Sequence, residues 1–263
     1  MEFDDDVDAA NLQMIQPIDV ASLEPIGHAE AMRMTAVEND KFAAALASID
    51  ASQWALPTDC DRWTVRDVAA HIIGSAAGQA KLREFVRQVR AGKPLVAENG
   101  GQFWWDGMNE VQVRERAPAT TDELQAEWAV VSSRALRARN KMPRPIARLP
   151  LLKLPVVGRQ SLSYLFDVGF TRDVWMHRID IAHATGVAPD LDAQHDGRIF
   201  ADIVREWAGT HGEPFSLVID GPAGGTFVQG TGGEHVQMGF VQFCRILTER
   251  ASGEGILRHP MPL

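Results

Sequence analysis

Four long stretches of this chain carry apolar residues at helical spacing, with glycine or proline close behind each. The first, His28 to Asp50, brings Met34, Val37, Phe42, Ala45 and Ile49 near one face. The second opens at Thr64, where Asp67 completes a capping box and Trp63 and Val68 hold the positions of a hydrophobic staple. It is expected to run unbroken to Gly92–Pro94. The third spans about Asn109 to Asn140, with an interruption near Ala117–Pro118, and the fourth runs from about Ser161 to Thr185. Gly186 stops that last helix, with Pro189 just beyond. Long helices with one apolar stripe must bury it against each other, so the spacing predicts a four-helix bundle.

The remainder reads differently. Residues 141–160 carry four prolines and exclude one regular helix. After Gly186 a helix near 194–210 leads to FSLVID and TFVQ, two short strands bounded by glycine turns, and then a final helix through MGFVQFCRILTERA. The expected fold class is mainly α, a bundle over residues 26–190 followed by a small α+β domain over 191–263. Residues 1–25 lack a period and are expected to be a loosely held acidic extension.

Charge narrows the partners. The formal net charge is −9, and five acids (Glu2, Asp4, Asp5, Asp6 and Asp8) crowd the first eight residues, leaving a body near −4. A mildly acidic body argues against nucleic acid, whose phosphates need a basic surface. Eight basic residues and no acid lie between Glu127 and Asp167. Interleaved with LPLLKLPVVG, they read as a solvated loop, a lid for anions or a lipid-facing surface. No apolar run reaches the roughly 18 residues of a membrane span. The opening MEFDDDVDAA is acidic where a secretory signal is basic and then apolar, so a cytoplasmic location is expected. Cys60 and Cys244 match no metal or redox spacing and read as two reduced thiols.

Two segments carry candidate chemistry. His71 lies mid-helix in VRDVAAHIIGSAAG, with small residues Gly74, Ser75 and Gly78 along its face. Alone, such a histidine is more often a satisfied core residue. In TRDVWMHRIDIAHATG, Asp173 and His177 stand four apart on one face, with Asp180 three residues further and close enough to orient His177. That pair alone forms a surface hydrogen bond as readily as it chelates an ion. With His71 on a facing helix, the three make a two-histidine, one-carboxylate set that leaves coordination open for water or substrate. His183 falls off that face and reads as a surface residue. Trp104 and Trp105 in GGQFWWDG read as core packing or as the mouth of a pocket.

PTDCDRWTVRDVAAHIIG, followed about 100 residues later by TRDVWMHRIDIAHATG, resembles the mycothiol-dependent maleylpyruvate isomerase family, within the DinB-like group of metal-binding helical bundles. The ending VQFCRILTERASGEGILRHPMPL is similar to the close of that family's small C-terminal domain. The resemblance spans about residues 28–263. It implies a DinB-like four-helix bundle in which His71, Asp173 and His177 are the metal ligands, with Asp173 where the family often has Glu. It also implies a catalytic role for Arg250, which matches the arginine of a Gly-Arg pair whose glycine is Glu249 here.

The expected function is a metal-dependent enzyme using mycothiol as cosubstrate, a thiol S-transferase or a cis–trans isomerase acting on a small electrophile. The expected metal is zinc, with nickel, cobalt or iron as alternatives. The rival readings are a hydrolase that uses the same metal without thiol, and a non-catalytic protein that binds metal or an apolar ligand. The expected partners are the electrophile and the thiol, with no nucleic acid and no integral membrane segment, in a monomer or a homodimer.

Overall fold

The computed structural model describes residues 16–60, 62–98 and 100–261. The acidic residues of the first eight lie outside the described part. A two-residue strand, β1 (Ile18–Asp19), precedes α1 (His28–Ala47). The second helical stretch divides into α2 (Val65–Ala80) and α3 (Leu82–Gly92), and a single turn, α4 (Leu95–Glu98), follows. The third divides into α5 (Trp104–Arg116) and α6 (Thr121–Asn140), at the interruption the sequence predicts. Next come a short α7 (Arg144–Ala147) and a hairpin of β2 (Leu152–Leu154) and β3 (Gly158–Gln160) in the proline-rich stretch. A π-helical turn, Tyr164–Gly169, leads into α8 (Phe170–Thr185), which Gly186 ends at φ +70°. After α9 (Asp196–His211), strands β4 (Phe215–Asp220), β5 (Gly225–Gln229) and β6 (Glu234–Gly239) precede α10 (Phe240–Leu247).

Helices α1, α2, α6 and α8 pack on one another as the bundle. One core joins Phe42 and Leu46 of α1, the apolar face of α2, Leu124 and Trp128 of α6, and Val174 and Ile181 of α8. The other face of α8, with Trp175, Met176 and Ile179, belongs to a second core with α9, the sheet and α10. Helix α8 is therefore covered on both sides, which is why polar residues on it become buried. The spacing of α1 holds for Met34 and Phe42, whereas Val37 is exposed.

The Thr64 cap forms as the sequence predicts, with Thr64 N donating to Asp67 Oδ2 (3.0 Å) and Asp67 N to Thr64 Oγ1 (3.3 Å). The unbroken helix to Gly92 does not. Lys81 is extended, at φ −146° and ψ 115°, although nothing in its immediate sequence breaks a helix. Tertiary packing overrides propensity here. The turn folds α3 back so that Gln88 reaches the carbonyl of Gly74 (3.0 Å). Gln112 of α5 packs so closely on Gly74 that a Cβ there would lie 2.5 Å from its own Cβ.

The sheet runs β1-β5-β4-β6. Strand β4 pairs antiparallel with β5 and parallel with β6. Phe215, Leu217 and Ile219 alternate inward, the period that made FSLVID legible. Strand β6 was not legible because it is an edge strand, with only Val236 deeply buried. The N-terminal segment also differs from expectation. Ile18 and Asp19 pair in parallel with Phe227 and Val228, and Val20 is buried in the second core. Val20→Ala is expected to cost about 1–2 kcal/mol for two lost methyl groups, read as a fall of several degrees in Tm. An unchanged Tm would return this segment to a loose extension. Among the described residues, no helix is long and apolar enough to cross a membrane.

Candidate metal centre

Because α2 and α8 face each other in the bundle, His71 meets Asp173 and His177. One donor atom from each lies within 4.8 Å of the others. His71 Nε2 stands 3.6 Å from Asp173 Oδ2, and His177 Nε2 stands 3.6 Å from Asp173 Oδ1. Both distances exceed a hydrogen bond. Each is close to the separation of about 3.3–3.6 Å between two ligand atoms on one tetrahedral ion, with His71 facing one carboxylate oxygen and His177 the other. Both imidazoles are buried, and the Asp173 side chain is 26% exposed, so the set is open on one side. Trp63 covers it from another, with its ring centroid 5.0 Å from that of His71.

The hydrogen bonds behind the site make Nδ1 the donor on each ring. Gln88 Nε2 donates to the Gly74 carbonyl (3.0 Å), and Gln112 Nε2 donates to Gln88 Oε1 (2.9 Å). That leaves Gln112 Oε1 as the acceptor for His71 Nδ1–H at 2.8 Å. The chain ends on a backbone carbonyl, which only accepts, so every amide orientation follows from it. On the other side His177 Nδ1–H donates to Asp180 Oδ2 at 2.9 Å. Burial works to raise the Asp180 carboxyl, but His177 and Arg250 outweigh it and hold its pKa at about 2. Asp180 is thus a full anion and accepts only. With Nδ1 the donor on each ring, both Nε2 atoms face the Asp173 carboxylate and present lone pairs there when the imidazoles are neutral. For Asp173, burial again works to raise the pKa, and the imidazoles and Arg250 outweigh it to bring it below the ordinary value. With both rings neutral, three electron-pair donors converge. That arrangement fits a cation.

Arg250 departs from a solvent-facing helix end. It donates Nε to Asp180 Oδ1 and Nη2 to Asp180 Oδ2, both at 2.7 Å, and contacts Cys60 Sγ at 3.5 Å. Burial would lower its pKa, yet Asp180 raises it. The preceding Glu249 adopts φ +60°, a left-handed conformation that suits glycine. The backbone that aims Arg250 inward therefore persists without one.

Sequence reasoning missed three residues. Cys60 Sγ lies 3.8 Å from His177 Nδ1 and 3.5 Å from Asp180 Oδ2, a fold contact across 117 positions that no spacing reveals. Burial pushes its thiol up to about 12. Cys60, His177 and Asp180 also lie close enough to share an ion, but the Arg250 guanidinium occupies both Asp180 oxygens and opposes a cation there. Gln88 and Gln112 carry no motif and are found only through their bonds. The remaining candidates separate cleanly. His183 is 43% exposed beside Asp59, while His195 is buried against Glu38. Arg139, one of the eight basic residues of the acid-free run, is buried and donates to Phe166 O, Thr35 Oγ1 and Thr171 Oγ1. Burial lowers its pKa to about 10.

A cavity of about 450 Å³ opens onto the donors. His71, Ser75, Asp173 and Arg250 line its floor, and Trp104 and Trp105 stand in its wall. The pocket reading of the tryptophan pair is the one the structure supports.

Known proteins agree with this architecture. The chain aligns at 28% identity over 155 residues with uncharacterized proteins from two Mycobacterium tuberculosis strains, CDC 1551 / Oshkosh and H37Rv, covering 59% of this chain and 67% of each relative. The crystal structure of the mycothiol-dependent maleylpyruvate isomerase superposes with a TM-score of 0.56 at 14% identity, covering 88% of this chain and 93% of that one. A histidine-to-alanine mutant of that enzyme superposes at 0.55 and 16% identity, with the same coverage. At such identity these structures speak to the fold. Residues 35–182, more than half of the chain, match the family described as the mycothiol maleylpyruvate isomerase N-terminal domain, and the chain belongs to that family.

Proposed function

We propose that this protein is a metal-dependent enzyme that uses mycothiol, adding the thiol to an electrophile for S-transfer or for cis–trans isomerisation through a reversible adduct. The observation that carries the reading is the convergence of His71 Nε2, His177 Nε2 and an Asp173 oxygen within 4.8 Å of one another, with Gln112 and Asp180 holding the two Nδ1 atoms. Membership of a family named for mycothiol and maleylpyruvate supports the choice of thiol. The donor set suits zinc, and also cobalt, nickel and iron(II). A divalent cation there supplies a lowered pKa to a bound thiol, so that thiolate is available at neutral pH.

The chain's own residues do the rest. Asp180 and Gln112 lock the imidazoles with Nε2 inward. Arg250 puts a guanidinium on the cavity wall and acts as the catalytic residue, donating a hydrogen bond to the electrophile as the C–S bond forms. Residues 26–190 would be the metal-holding bundle. Residues 191–263 would be a second domain closing one wall, since Leu247, Pro260 and Met261 line the cavity. Use of a cellular thiol fits a cytoplasmic protein.

Cobalt substitution tests the reading. Mycothiol is expected to add an absorption band in the thiolate–metal charge-transfer region of the Co²⁺ protein. An unchanged spectrum at saturating thiol would remove the thiol and leave a hydrolase. The supporting bonds make a separate prediction. Gln112→Leu removes the acceptor for His71 Nδ1–H and frees that ring to turn. It is expected to weaken metal binding about 10–100-fold, measured by competition with a chelating dye. Unaltered affinity would reduce the glutamine relay to packing.

A further inference from the structure

We infer that the electrophile is a neutral aromatic molecule rather than a dicarboxylate; this rests on the thiol reading above. Substrate charge can be read from the cations a cavity offers. Among the described residues lining this one, the cations are Arg172 and Arg250. Arg172 is buried and bonded to Asp202 (2.7 Å) and Glu206 (2.6 Å). Arg250 holds both oxygens of Asp180. Each guanidinium already faces a full carboxylate, so neither offers an uncompensated charge to a second anion. Glu249 adds a negative charge to the lining. A divalent ion opposite Asp173 and a thiolate is neutral as a unit and leaves no attraction over for two substrate carboxylates. A dianion would lose its water and gain nothing comparable.

The wall favours flat apolar rings. Phe103 stacks on Trp105 with centroids 4.5 Å apart, Trp104 meets Trp105 edge-on at 5.5 Å, and Phe85 meets Trp104 at 6.0 Å. Trp104 lines the cavity and remains 42% exposed. The β2–β3 hairpin supplies Leu152 and Leu154 nearby. Aromatic clusters with a free face gain from a further ring in offset or edge-on contact. The volume, about 450 Å³, suits a substrate-sized ligand. On 1-chloro-2,4-dinitrobenzene the step balances simply. The sulfur forms the C–S bond, the C–Cl bond breaks, chloride leaves with its electron pair, and the thiol proton passes to solvent.

Calorimetry on the metal-loaded protein saturated with mycothiol tests the inference by binding alone. 2-Naphthol is expected to bind at least about tenfold more tightly than maleate, and Trp104→Ala to weaken naphthol about tenfold with metal content unchanged. Because Trp104 is half-exposed, its loss leaves the fold intact, and Leu154→Ala gives a second variant on the same wall. Maleate binding as tightly as naphthol would overturn the inference, as would naphthol binding indifferent to both variants. Naphthol bound through Trp104, with a silent cobalt spectrum on adding mycothiol, would sink the thiol reading and leave the aromatic site standing.

Discussion

His71→Ala, Asp173→Ala and His177→Ala are each expected to emerge from purification without metal, while His183→Ala keeps a full equivalent. Three protein donors define one position; two leave the ion free to swing and exchange its remaining waters. The loss should exceed the roughly 10–100-fold that follows when only a supporting hydrogen bond is removed. Fold should survive, because the donors lie between the bundle helices and the cavity while both cores are apolar. Circular dichroism should therefore be unchanged. Stability offers a sharper check. Added zinc should stabilise wild type by about 2.7 kcal/mol at a hundredfold excess over Kd, read as a higher Tm, and leave the three variants unmoved. A His71→Ala protein that retains a tight equivalent, or a wild type that zinc does not stabilise, would end the assignment.

How much of this was legible in the sequence depends on the range over which each feature is determined. The Thr64 cap, the Gly186 stop and the alternation of Phe215, Leu217 and Ile219 are set within a few residues, and each reads directly. So does the shared face of Asp173 and His177, which one helical turn fixes. The break at Lys81 is set by Gln88 reaching back to Gly74, and β1 by a partner strand some 200 residues away. No local signal announces either. The site divides the same way. His71, Asp173, His177 and Arg250 were reached through motifs, but Gln112, Gln88 and Cys60 have ordinary neighbours and gain meaning only from what the fold puts beside them. Asp180 sits between these cases: its spacing to His177 was visible, while its pairing with Arg250 was not.

The same distinction governs the largest stability effect expected here, at a residue with no motif. Glu38 lies on α1, 1% exposed, and accepts from Arg178 Nε (2.8 Å) and Nη2 (3.2 Å). His195 Nε2 approaches the same carboxylate at 2.8 Å, and Arg178 also pairs with the fully buried Asp196. The network joins α1, α8 and the start of α9, tying the bundle to the second core. Burial alone would lower the Arg178 pKa, and the carboxylates of Glu38 and Asp196 raise it instead, so the guanidinium stays charged in the interior only while they remain. Glu38→Ala leaves that charge short of one partner and His195 without its acceptor. The expected cost is about 3–5 kcal/mol, which for a chain of this size lowers Tm by roughly 10 °C or more. Glu30→Ala breaks the partly exposed pair with Arg198 and should cost no more than about 1 kcal/mol. The double variant Glu38→Met with Arg178→Met removes one charge of each sign and leaves Asp196 with Lys41 at 3.4 Å as a cation, so it should recover part of the loss. Equal melting temperatures for Glu38→Ala and Glu30→Ala would show that the buried network contributes no more than a surface pair. A double variant as unstable as Glu38→Ala would place the cost in lost packing rather than in the stranded charge.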